Sequence, residues 1–236
     1  MSEKYNVVNV QLSIVFLGKF NPLLFHPEWF VKYGIMKDEE AKIALANNGQ
    51  EGKNAIVSSN VTYFQTEDFE FTVDQNKMQI LSLKGVETTA LDFAVSTMKH
   101  LGSTTINACG FNYISNTRIN TKEDYQLIGD TLAPKDCWSD MLGEDVSGNE
   151  RKSGLTCIKM TKRKDNNEGA INFVLEPSAT VEQGVYIQIN DHCFFGKEGN
   201  DSQSVSEFVL KNFSERIKYL SSLKEKVLGR VFGETL

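Results

Sequence analysis

Most of the residues that usually announce a function are scarce in this chain. Its 236 residues include four cysteines, four prolines, three histidines and two tryptophans. Cys109, Cys137, Cys157 and Cys193 lie far apart with no C-x-x-C pair. That excludes the common zinc and disulfide frameworks and fits reduced thiols in a cytoplasmic protein. No apolar run approaches the roughly 20 residues that cross a bilayer, and no basic segment followed by an apolar stretch opens the chain, so no membrane association is expected. The phosphate loop G-x-x-x-x-G-K-[ST], the dinucleotide turn G-x-G-x-x-G, the nucleophile elbow G-x-S-x-G and the zinc helix H-E-x-x-H are all absent. A histidine metal centre would have to gather His26, His100 and His192 from distant elements, so neither metal nor cofactor is expected. The formal charge of −6 makes nucleic acid a disfavoured partner.

What remains is an ordinary globular composition, 40% hydrophobic and 24% charged, in a chain long enough to bury its core without metal or disulfide staples. Val8, Val10, Leu12, Ile14 and Phe16 alternate with Asn9, Gln11, Ser13 and Val15. That period of two predicts a strand with one buried face. Asn21-Pro22 then favours a turn, Pro27 suits the first turn of a short helix, and a second helix is expected from Lys37 to about Ala46, stopped by Asn47, Asn48 and Gly49. Three strands follow at Val61 to Thr66, Phe69 to Asp74 and Met78 to Leu83, joined by links short enough for an antiparallel meander. A helix from Glu87 to Leu101 ends at Gly102.

The same order then returns. A strand is expected at Thr105 to Ile114, a helix capped by Thr121 with Asp124 three residues on, and a short helix around Cys137 to Leu142. Strands at Leu155 to Lys162, Ala170 to Glu176 and Val185 to Phe194 precede a long helix. Ser204 and Glu207 have capping-box spacing at its start, and Val209, Phe213, Ile217, Leu220 and Val227 form its apolar stripe. The fold class read from this pattern is α+β: a two-layer sandwich with a mainly antiparallel sheet, built from two tandem β-αα-βββ-α units at 1–102 and 103–236. The two units share element order but no residue-level identity, and together they are read as one domain.

Candidate functional residues are few. Phe16, Phe20, Phe25, Trp29, Phe30 and Tyr33 form an aromatic stretch able either to anchor a partner or to build a satellite core, and Asn21 and His26 lie within it. A histidine directly before Pro27 more often caps a helix than does chemistry. In the second unit Lys135 and Trp138 follow Pro134 in the matching position, so Trp29 and Trp138 are read as core plugs first and as lips of one recognition surface second. Asn190 and His192 share a strand face that suits a pocket wall. Adjacent Asp191 and His192 point to opposite faces and cannot form an acid-base pair, and neither can His192 and Cys193. Lys159, Lys162, Arg163 and Lys164, with Arg151 and Lys152 nearby, make the one basic concentration, at a hairpin tip read as solvated.

The stretches FNPLLFHPEWF (Phe20 to Phe30), LAPKDCW (Leu132 to Trp138), LEPS (Leu175 to Ser178) and IQINDH (Ile187 to His192) resemble signatures of an uncharacterised bacterial family of similar length. The resemblance carries no activity and no catalytic residue. It implies a bacterial cytosolic protein, an accessory component encoded beside partners, with a link to phage defence.

Four functional readings follow. A non-catalytic binding or assembly protein, acting through a protein partner or self-association, fits the abundance of sheet and aromatic loops. A small-ligand or nucleotide sensor would need a pocket between sheet and helices, lined by Asn190 and His192. An enzyme of unrecognised mechanism would need convergent titratable groups, and a nucleic-acid binder would need the basic hairpin to join a positive groove.

Overall fold

The structure is a computed structural model, and the description covers residues 4–46, 55–102, 104–142 and 154–233. The first half comprises β1 (Tyr5–Gly18), a 3-10 turn (Pro22–Phe25), α1 (Pro27–Lys32), α2 (Asp38–Leu45), β2 (Ile56–Val57), β3 (Val61–Gln65), β4 (Phe69–Asp74), β5 (Lys77–Ser82) and α3 (Glu87–Lys99). The second comprises β6 (Thr105–Ile119), α4 (Lys122–Leu132), a 3-10 turn (Asp136–Trp138) running into α5 (Ser139–Leu142), β7 (Ile158–Arg163), a 3-10 turn (Asp165–Asn167), β8 (Gly169–Pro177), β9 (Gly184–Phe194), β10 (Asn200–Asp201) and α6 (Ser202–Val231). The protein is α+β with an antiparallel sheet, and its strands run in the order β2-β3-β4-β5-β1-β6-β9-β8-β7, with β10 beside β6. From the β1/β6 pair β5, β4 and β3 extend to one side, with β2 beyond them, and β9, β8 and β7 to the other; the short strands β2 and β10 add to the three strands expected in each half.

Alternation decides which face each side chain takes. Leu12, Ile14 and Phe16 of β1 face the helices and are buried, with Cys109, Phe111 and Tyr113 of β6 opposite them. α3 and α6 pack against each other over this face, α3 on β5 and β1 and α6 on β6 and β9. A single row of directly opposed residues crosses eight strands here: Phe64, Phe71, Ile80, Ile14, Phe111, Asp191, Ile171 and Lys162. Its first five members are fully buried, and the row then turns polar and ends in the exposed Lys162.

The β7–β8 hairpin is pinned by Gly169, whose φ of +128° and approach to β9 leave no room for a side chain: a Cβ there would lie 2.0 Å from the His192 carbonyl oxygen. Lys164, just past β7, returns its ammonium to Asp191 of β9.

Several expected elements shift for identifiable reasons. Val8 is the extra residue of a bulge between Val7 and Asn9 and is 47% exposed, so it leaves the buried face expected for it, while Tyr5 beyond the bulge packs on the core. β6 runs on to Ile119 rather than Ile114, because it stays paired with β1 to Ile119 and with β9 to Arg118. The long helix begins at Ser202, not beside Ser204: Asp201 is its cap, and its carboxylate accepts both the Ser204 amide (2.9 Å) and the Ser204 hydroxyl (2.8 Å). Thr121 caps α4 by accepting the Asp124 amide at 3.0 Å, as expected. The stop signal Asn47, Asn48 and Gly49, together with Arg151 and Lys152, lies outside the described residues.

Candidate interaction surface

The two ends of the sheet are finished differently. At the β3–β4 end the chain between β1 and β2 folds over the helix-facing side and fills it with rings. Phe30 of α1 lies 5.6 Å from Phe64, 5.2 Å from Phe71 and 4.8 Å from Phe93 of α3, centroid to centroid, and Phe25 lies 5.7 Å from Phe71. All of these rings are buried.

At the β7–β8 end the same face stays open. Ile158, Met160, Ile171 and Phe173 line a groove of about 350 Å³ whose other wall is α6, through Tyr219, Leu223 and Val227. Met160 is 63% exposed and Tyr219 40%. Tyr219, Leu223 and Val227 recur every four residues and flank the buried line of Phe213, Ile217, Leu220 and Leu228; Val227, expected in that line, lies at its border and is only half-buried. α6 thus carries a second apolar line that is only partly covered, with Leu223 and Val227 half-buried and Tyr219 exposed. A second hollow of about 300 Å³ adjoins the groove through the chain neighbours Leu132–Ala133 and Cys157–Ile158, and it is lined by Trp138 and Met141. Those two side chains are 50% and 71% exposed. β7 is the last strand of the sheet, so beside this apolar surface runs a backbone edge with no neighbouring strand among the described residues.

Polar anchoring replaces ring packing next to the groove. Asp191 stands in the row where Ile80 stands in the first half. Its carboxylate is 3% exposed and is held by Arg216 of α6 (2.6 Å) and by Lys164. The Arg216 guanidinium also lies over the rings of Phe111 and Phe208. Cys193 receives N–H contacts from Lys164 and Arg216 at 3.2 Å. Burial, aided by the Asp191 charge, pushes its thiol up, and burial pushes that of Cys109 well above the ordinary range, so both stay protonated at neutral pH. The arrangement ties the β7–β8 hairpin to α6 and offers no thiolate nucleophile.

The residues singled out from sequence fall into three separate places. Asn21, His26 and Trp29 belong to the filled end. Asn21 accepts the Leu23 amide at 3.3 Å, His26 Nδ1 accepts the Glu28 amide at 3.3 Å and caps α1, and Trp29 stacks edge-on against Phe25 and Phe30. Lys135 and Trp138 come together at the second hollow, where Lys135 pairs with Asp130 at 2.5 Å. Trp138 is not a core plug: its short 3-10 turn has no buried residue. Asn190 and His192 share the sheet face away from α6, while Asp191 between them is buried beneath that helix.

On that opposite face Asn190 belongs to a hydrogen-bond chain across five strands. The Thr161 hydroxyl donates to Asn172 (2.9 Å), Asn172 to Asn190 (3.5 Å), Asn190 to Asn112 (2.9 Å), and Asn112 to the Ser13 hydroxyl (3.0 Å). Gly110 makes room for it, since a Cβ there would lie 2.9 Å from Asn190 Nδ2. His192 is half-buried, and burial together with the Lys164 charge lowers its pKa, which leaves it neutral at pH 7.

The groove residues Met160, Phe173, Tyr219 and Leu223 were not among the candidates from sequence. One signal for them existed: the second apolar line on α6 has no use in a helix with one buried face. Among the described residues, no group of three or more His, Cys, Asp or Glu side chains is placed to hold a metal ion. No helix among them is long and apolar enough to cross a membrane. No protein-family model matches the sequence, and no curated protein matches it.

Proposed function

We propose that the protein is a non-catalytic binding or assembly protein, an accessory subunit of a bacterial multiprotein system, and that its working surface is the groove between β7, β8 and α6. One observation carries this reading: the two ends of one sheet are finished differently, with Phe64 and Phe71 sealed under α1 but Met160, Ile171 and Phe173 left beside a strand edge that has no neighbouring strand among the described residues. An apolar patch bordered by polar side chains is the usual mark of a docking surface, because leaving it in water costs free energy that a partner recovers. Four free thiols, two of them buried, fit action in a reducing compartment.

Native mass spectrometry of the protein isolated from its host tests the reading. A stoichiometric protein complex is expected, and Met160→Asp should abolish it while leaving the thermal unfolding midpoint in place. A monodisperse monomer carrying a retained small molecule would overturn the assembly reading and favour a sensor. The place for such a ligand is the hollow of about 200 Å³ between α4 and strands β8 and β9, where Lys122, Tyr125 and Lys135 supply polar groups.

A further inference from the structure

Resting on the reading of the groove as a docking surface, we infer that its occupant is an extended segment of a partner protein, alternating acidic and apolar residues, which adds to the sheet as a strand beside β7. The backbone of β7 supplies the first part of the argument. It is the terminal strand of the path and is paired with β8 over its whole length, so its outward amides and carbonyls are already held straight and in register for another strand.

The side chains of β7 supply the second part. Ile158, Met160 and Lys162 face the groove, and Lys159, Thr161 and Arg163 face the other side of the sheet. Every residue of β7 after Ile158 is exposed. An added strand has the same alternation. Its residues on the α6 side would lie against Met160 and continue into the apolar groove. Its residues on the far side would stand opposite Lys159 and Arg163, where a carboxylate is favoured and a cation disfavoured. Charge around the groove points the same way: the described residues lining it include Lys162 and no carboxylate, and on that side of α6 the exposed Lys226 and Arg230 outnumber the exposed Glu215, one turn before Tyr219. In a chain of net charge −6 this is a local reversal of sign, which selects an acidic partner and speeds its approach.

A second copy of the chain fits poorly, since antiparallel pairing of β7 with β7 about Thr161 sets Lys159 against Arg163 twice on one face and Lys162 against Met160 on the other. Those cations guard the edge against self-pairing and leave it open to a strand of opposite charge.

Fluorescence anisotropy with a labelled capped peptide, Glu-Val-Glu-Leu-Glu-Val-Glu, tests the inference on the full chain. Binding is expected to weaken as salt rises, and amide exchange should slow at residues 158–163 when the peptide is present. A block-scrambled peptide of the same composition should bind at least about tenfold more weakly, because it cannot present apolar residues to one face and carboxylates to the other. The double substitution Lys159→Glu and Arg163→Glu should cost a similar factor and transfer preference to the Lys-for-Glu peptide. Equal binding of the scrambled peptide, or protection elsewhere, would overturn strand addition. So would a homodimer lost on Met160→Asp, which would make the occupant a second copy. If the alternating peptide fails while Met160→Asp still strips a native partner, the strand is wrong and the docking surface stands. If Met160→Asp leaves the native complex intact, the docking surface itself falls.

Discussion

One sheet ends in two ways. At the β3–β4 end the helix-facing row closes with Ile80, Phe71 and Phe64, all fully buried, under the rings of Phe25, Phe30 and Phe93. At the β7–β8 end the corresponding row runs through Asp191 and Ile171 to an exposed Lys162. On either side of the β1/β6 pair three antiparallel strands follow, β5-β4-β3 and β9-β8-β7, and only the first set is extended by a further short strand, β2. The difference lies in what the link after the central strand does. After β1 it returns as aromatic helices over the outer strands, whereas after β6 it becomes α4, which packs on β6 and α6. Topology alone therefore leaves open whether an end of this sheet is core or surface; the residues in that link settle it.

The largest expected effect breaks the filled end. Phe30→Ala removes the ring at the centre of the cluster and should cost about 3–5 kcal/mol by urea unfolding. Phe173→Ala, on the open face of the other end, should cost about 1 kcal/mol or less, because its ring is only partly buried. Equal losses would mean that the groove is core in solution.

Next comes the polar anchor. Asp191→Ala strands Arg216 and Lys164 without their carboxylate and should cost about 3 kcal/mol. Asp191→Ile, which copies Ile80, should cost less, since both cations are partly exposed and can turn to water while the isoleucine packs. A larger loss from isoleucine than from alanine would show that this position has no room for the first half's solution.

A smaller effect distinguishes the halves by pH. His192 occupies the position of Leu81 in the other half, on the face away from α6. Its folded pKa lies below the unfolded value of about 6.5, so below that pH the unfolded chain takes up the proton first. Stability should therefore decline as pH falls from about 6.5 towards the folded pKa and then level off. His192→Leu should flatten that stretch of the stability curve, and an unchanged slope would assign the pH response to other groups. The smallest effect is on Met160: Met160→Asp should change stability by no more than about 0.5 kcal/mol, as expected for a side chain that is 63% exposed.

Much of the fold is legible in the amino-acid sequence. Alternation in Phe69 to Asp74 marked a strand at its observed bounds, and Thr121 with Asp124 marked the start of α4. Such signals survive because each is set by neighbours within a few residues. Val8 misled because a bulge reverses facing without changing residue type, and Ser204 misled because Asp201, three residues earlier, is the stronger acceptor at a helix start. Trp138 misled because its counterpart Trp29 is packed by rings that the second link lacks.

The groove was harder to see. Ile158, Met160, Ile171 and Phe173 read as ordinary strand residues, and Tyr219, Leu223 and Val227 as part of a long amphipathic helix. Most strand and helix positions, and with them the α+β class, are local properties that the spacing of amino acids specifies. Whether an apolar face is covered depends on which distant segment lies over it. That competition among long-range contacts sealed Phe64 and left Met160 in water, and no local spacing encodes it.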